Sequence, residues 1–165
     1  MTLSRPVLAV GGAVLLAVAL VALWPAKRVG PAEQVRRQVV QASRAAEEKD
    51  LSTIMDQVSE RFRMENGADK TDLKRLLAAR LLPEQWIRVF LVDLSTTEVK
   101  GGVEMSAKVI FGNSKATTLK ELAAHSALQG YAITARYERE EGDHWRAVTA
   151  DAKPISAQDL VTISP

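Results

Sequence analysis

Apolar positions along this chain follow three patterns in succession: an unbroken run, helical spacing, then alternation. The unbroken run is Pro6 to Ala26, PVLAVGGAVLLAVALVALWPA, twenty-one residues without a charge. At ~1.5 Å rise per residue a helix of that length spans ~30 Å, about the thickness of a bilayer's hydrocarbon core. Helical spacing takes over at Pro31, a residue suited to a first turn, with Val35, Val39, Ala42 and Ala46 on one face. Asp50 predicts the N-cap of a second, short helix striped by Leu51, Ile54, Met55 and Val58. Ser59 to Met64 alternates weakly and reads as a short strand placing Phe62 inward. A turn at Glu65-Asn66-Gly67 leads to a third helix, capped by Asp69 or Thr71, with Leu73, Leu76, Leu77 and Leu81 as its stripe and Pro83 as its stop.

From Trp86 the period falls to two. Trp86 to Val99 reads as a long strand, and Lys100-Gly101-Gly102 as a hairpin turn. The next strand alternates most clearly: Val103, Met105, Ala107, Val109 and Phe111 face a core while Glu104, Ser106 and Lys108 meet water. Residues 115–129 suit a short helix or a long loop equally. Tyr131 to Arg139 alternates again, and Glu141-Gly142-Asp143 turns the chain into a last strand from His144 to about Lys153. Three helices followed by an antiparallel sheet make an α+β domain. The chain divides into an anchor at 1–28, a domain at 29–155 and a tail at 156–165.

The apolar run is either a cleaved signal peptide or a permanent anchor. Ala17-Val18-Ala19 offers small residues for cleavage, but a cut there would leave Leu-Val-Ala-Leu-Trp as an exposed apolar end. The full length is enough to span, which favours an uncleaved anchor with Trp24 at the interface and Lys27 and Arg28 beyond it. Orientation is contested within the sequence. Lys27, Arg28, Arg36 and Arg37 outnumber the positive charge before the run and favour a cytoplasmic domain. Arg5 followed by an apolar run at the extreme N-terminus has instead the layout of an export signal, and the expectation is a periplasmic or otherwise extracytoplasmic domain.

Composition narrows the chemistry. All twenty acidic residues and twenty-one of the twenty-two basic ones lie after Ala26, so the domain is nearly charge-balanced. No basic block interleaved with aromatics appears, which argues against nucleic acid. Zero cysteines exclude disulfides, a thiol nucleophile and thiolate metal sites. His125 and His144 are the only imidazoles, and neither lies at metal-ligand spacing from another donor, so no metal and no other cofactor is expected. Gly11-Gly12 falls inside the anchor and Gly101-Gly102 in a hairpin, so no phosphate loop exists. Ser106 and Ser126 lie in no nucleophile motif.

The helical run ending AAEEKDLSTIMDQVSERFR, the third helix, and the sheet closing on EREEGDHWRAV resemble the nuclear transport factor 2-like superfamily, also called SnoaL-like or cystatin-like. The resemblance covers roughly residues 31–155 and is strongest at Ser59-Glu60-Arg61-Phe62 and at Gly142-Asp143-His144-Trp145-Arg146. It implies a cone, a strongly curved sheet wrapped on helices, often with a pocket inside. Members include isomerases, dehydratases and epoxide hydrolases, and also non-catalytic modules, several of them anchored in bacterial envelopes. The anchor-plus-cone layout looks like that last group, although fold is not function.

Two functions follow as expectations. One is a non-catalytic anchored module binding a protein partner, or a second copy of itself, through the sheet's outer face. The other is a pocketed enzyme or binder of small apolar ligands, lined by Phe62, Trp86, Phe90, Tyr131 and Tyr137, with Asp93 as its one catalytic candidate. Asp93 shares strand parity with Ile87, Val89 and Leu91. If that face lines the cone, its carboxylate is partly desolvated, as a general base requires. The other placement is a strand-end acid exposed at the rim, the commoner position for a carboxylate.

Overall fold

The computed structural model describes residues 29–83, 88–112, 118, 121 and 129–155. The apolar run at 6–26, the tail at 156–165, Trp86, His125 and most of 115–129 lie outside the described residues. No helix among the described residues is long and apolar enough to cross a membrane.

Among the described residues three helices and five strands follow in the expected order: α1 (Pro31–Glu47), α2 (Leu51–Asp56), β1 (Val58–Met64), α3 (Lys70–Leu81), β2 (Arg88–Val99), β3 (Gly102–Gly112), β4 (Gln129–Glu140) and β5 (His144–Ile155). Local chemistry accounts for the helix starts. Pro31 opens α1, with Glu33 in its first turn and Arg44 in its last, each suited to the helix dipole. Asp50 caps α2 by accepting from the Thr53 amide and hydroxyl, bonds that hold its carboxyl below the usual range. Asp69 and Asp72 form a reciprocal capping box at the start of α3. Asp69→Ala is expected to speed hydrogen exchange at the Thr71 and Asp72 amides about five- to tenfold without touching the sheet. Unchanged protection there would show that neighbouring contacts, not the cap, start the helix.

One leucine departs from the expected stripe of α3. Leu73, Leu77 and Leu81 pack inward, but Leu76 is 59% exposed. At about 100° per residue the first three span ~80° of the helix, and Leu76 lies ~60° off the other side of Leu73.

The sheet runs in the order β1-β5-β4-β3-β2. Neighbours from β2 to β5 are antiparallel, but β1 lies parallel to β5, so the sheet is mixed and not wholly antiparallel as the sequence suggested. The reason is topological. No tight turn joins β1 to β5, and only a turn of that kind forces reversal. Register shifts in β1/β5, β2/β3 and β4/β5 add the bends that curl a sheet around helices.

The inner face carries Val103, Met105 and Ala107 of β3, Ala135 and Tyr137 of β4, and Trp145 and Ala147 of β5. These pack on Val35 and Val39 of α1, Met55 of α2, and Val58 and Phe62 of β1. The alternation expected of β3 holds as far as Val109 and then breaks. Ile110, on the opposite face, is fully buried, while Phe111 is only half-buried. Side chains occupy backbone groups on both edge strands. On β2, Arg36 donates to the Leu94 carbonyl at 2.8 Å and Glu47 accepts from the Val89 amide at 2.9 Å; on β1, Lys70 donates to the Val58 carbonyl at 2.7 Å. Edges occupied in this way are poor templates for an added strand.

Candidate functional site

Asp93 sits on a bulge of β2. Pairing steps from Val92↔Lys108 to Ser95↔Ser106, so Asp93 and Leu94 together face the single residue Ala107, and Asp93 takes a left-handed φ of 54°. The extra residue reverses strand parity. Leu94 takes the inward position and packs on the core, and Asp93 turns to the other side. Its side chain is 60% exposed and its carboxylate lies 2.7 Å from the Lys108 ammonium. The desolvation that a general base needs is absent at this position.

The expected pocket-lining residues divide among three places. Phe62 and Tyr137 belong to the main core, 1% and 7% exposed. Burial pushes the Tyr137 hydroxyl up to about 12. Tyr131 meets Phe111 edge-to-face at 6.2 Å between ring centres, farther along the inner face. Phe90 pairs with Ile110 and so lies on the opposite face from Val89 and Leu91. Trp86 is outside the described residues. A further aromatic is tied into the cone: the Trp145 indole donates to Gln34 of α1 at 2.9 Å, and the Arg139 guanidinium lies over its ring. His144 is exposed beside the β4–β5 turn. Among the described residues no group of three or more His, Cys, Asp or Glu side chains could hold a metal.

The outer face of the sheet is built differently. Register aligns Ser95, Ser106, Thr134 and Asp151 in one row across β2, β3, β4 and β5. A second row, two residues along, aligns Thr97, Glu104, Arg136, Thr149 and Arg63 across all five strands. Together with Glu65 these rows line an open trough of about 630 Å3. Four of its five charged groups, Arg63, Glu104, Arg136 and Asp151, are engaged. Arg136 reaches Glu138 at 3.3 Å and the Lys100 carbonyl at 2.9 Å, and Asp151 holds Lys153 at 3.1 Å, which raises the lysine's pKa. The hydroxyls of Ser95, Thr97, Ser106, Thr134 and Thr149 are all at exposed positions, and none has a hydrogen-bond partner among the described residues.

At the end of the same face nearest the β4–β5 turn, Glu140 accepts from the buried Ser59 hydroxyl at 2.5 Å, from Arg146 at 3.1 Å and from Arg61 at 3.3 Å. These partners, Ser59 foremost, hold the Glu140 carboxyl below its usual range. Its contribution to stability is therefore present above the ordinary carboxylate pKa and lost as the pH falls through the depressed one. The sequence reading singled out none of the trough as a site. The available signal was hydroxyl residues at water-facing positions of four successive strands, legible only once register sets them side by side.

No protein-family model matches the chain, and no curated protein matches it in sequence. Solved structures do match its fold. Bd1075 from Bdellovibrio bacteriovorus superimposes with a TM-score of 0.60 at 14% identity, over 76% of this chain and 41% of that one, so the chain spans less than half of Bd1075. PA1314 from Pseudomonas aeruginosa, a nuclear transport factor 2-like protein of unknown function, matches with a TM-score of 0.57 at 16% identity, over 74% of this chain and 98% of that one. A candidate dehydratase of the same fold from Streptomyces avermitilis gives 0.57 at 16%, over 76% and 96%. At these identities the likeness is one of fold alone: the domain shares the α+β fold of these structures, a curved five-stranded sheet on helices.

Proposed function

We propose that this chain is a membrane-anchored, non-catalytic binding or assembly module of the bacterial cell envelope, its domain on the extracytoplasmic side. The observation that carries the reading is the division between the two faces of the sheet. Phe62, Val103, Met105 and Tyr137 fill the described interior, whereas side chains with unspent hydrogen-bonding capacity gather on the outer face. The uncharged run at 6–26 supports the anchor, and α1 begins only five residues after it, which keeps the domain within about 20 Å of the bilayer. After an alkaline carbonate wash of membranes the full chain is expected to stay in the pellet, and a chain lacking residues 1–28 to appear in the supernatant. Release of the full chain would end the anchor reading.

The candidate dehydratase among the fold's neighbours supports a second reading, a small-substrate enzyme using Asp93. Asp93→Asn separates the two. Under the binding reading the variant keeps its fold and its binding, because only an exposed pair with Lys108 is lost. A fall of a hundredfold or more in a dehydration or isomerisation rate would instead make Asp93 the general base.

A further inference from the structure

Two rows of the outer face line the open trough, and beyond them the same face closes. Along β3 its positions run from exposed Glu104 and Ser106 through half-buried Lys108 to Ile110, which is fully buried. Along β4, Thr134 and Ala132 are exposed and Gly130 is buried. Register sets Phe90, Ile110, Gly130 and Ile155 side by side, one from each of β2, β3, β4 and β5. This row carries no polar side chain. Among the described residues, Ile110 belongs to neither packed cluster of the core. Neighbouring strands shield a side chain only from the sides, so complete burial on a sheet face requires something lying on top. The glycine between Ile110 and Ile155 leaves a notch two strand spacings wide, about 10 Å, with room for apolar side chains from above.

The chain delivers a segment of its own to that notch. Ile155 ends β5 and is itself a member of the row, and SAQDLVTISP, residues 156–165, continues from it. The row spans about 14 Å across four strands, and ten residues reach ~33 Å when extended. Leu160, Val161 and Ile163 give the second half of the segment its apolar groups, and Asp159 is its one charged side chain. The connection 113–128 also starts beside the row, but its far end is drawn to the helix side of the sheet. There the Gln129 side chain accepts from Arg80 of α3, whose neighbours Leu76 and Leu82 stand exposed. We propose that residues 156–165 fold back across the outer face as a strap, seating Leu160, Val161 and Ile163 over Ile110 and Phe90. The strap closes the apolar end of the face against water and against other molecules. This goes beyond the anchored-module reading, which the carbonate wash decides separately.

The chain contains no cysteine, so introduced thiols report on this contact alone. Ile110→Cys is expected to react with a water-soluble maleimide about tenfold faster or more once residues 156–165 are deleted. Leu160→Asp with Ile163→Asp in the full chain should reproduce that acceleration. If Ile110→Cys does not fold, Phe90→Cys, at a half-buried position, replaces it, with about a threefold change expected. On mild oxidation of the full chain, Phe90→Cys with Val161→Cys should close an intramolecular disulfide. Its yield should exceed about fivefold that of Ser52→Cys with Val161→Cys, whose first position is exposed on α2. A labelling rate indifferent to the deletion means that 84–87 or 113–128 covers Ile110, and overturns the proposal. Equal disulfide yields in the two pairs, the mark of a segment without a fixed seat, overturn it too. So does a disulfide formed between molecules, since the row then belongs to a second copy.

Discussion

Truncating Phe62 to alanine is expected to remove about 3–5 kcal/mol of folding stability, the range for deleting a buried aromatic side chain. Phe62 is 1% exposed and packs where three parts of the fold meet: strand β1, the helices α1 and α2, and the inner face of the sheet. β1 has a single strand partner, β5, so its attachment depends heavily on this side chain. Domains of this kind have roughly 5–15 kcal/mol in total, so the loss is about a fifth or more of the whole. Urea unfolding followed by far-ultraviolet circular dichroism should show the midpoint displaced at nearly constant slope. The same experiment bears on function. A residue lining an open cavity has few neighbours to lose, and its truncation would shift the midpoint by less than about 1 kcal/mol. A shift that small would return Phe62 to the pocket reading and weaken the non-catalytic one.

The helices were legible because their signals are local. Pro31, Asp50 and Asp69 announce their own helix starts, and the spacing of Val35, Val39, Leu73 and Leu77 marks the buried sides. Strand faces were legible wherever alternation ran unbroken, as from Val103 to Val109. Asp93 is where that reasoning stops. One extra residue in β2 leaves no mark in a run reading Val-Phe-Leu-Val-Asp-Leu, yet it exchanges the inner and outer faces for everything beyond it. The direction of β1 was hidden for a related reason, since its partner lies nearly ninety residues farther along the chain. The trough is the extreme case. None of Ser95, Ser106, Thr134 and Thr149 is notable in its own segment, and the site exists only as a product of register across β2 to β5.

Alkaline titration should destabilise the domain through the buried Tyr137. Its ring is 7% exposed, and burial raises the hydroxyl from 10.0 to about 12, because the phenolate would lose its hydration in the core. A raised folded-state pKa means that the unfolded chain releases this proton first. The stabilising difference is therefore complete below about pH 10 and disappears as the pH climbs towards 12. Two units correspond to roughly 2–3 kcal/mol. Lys153, whose pKa is also raised through its pairing with Asp151, is exposed and unaffected by changes at position 137. Tyr137→Phe keeps the ring in the core and removes the titrating group. The melting temperature of the parent should thus fall steeply between pH 10 and 12, and that of the variant only slightly. Parallel profiles would mean that the Tyr137 hydroxyl reaches water. A hydroxyl held fully protonated at neutral pH cannot act there as a base, so the steep profile would also make Tyr137 a packing residue of the core and not a polar group lining a pocket.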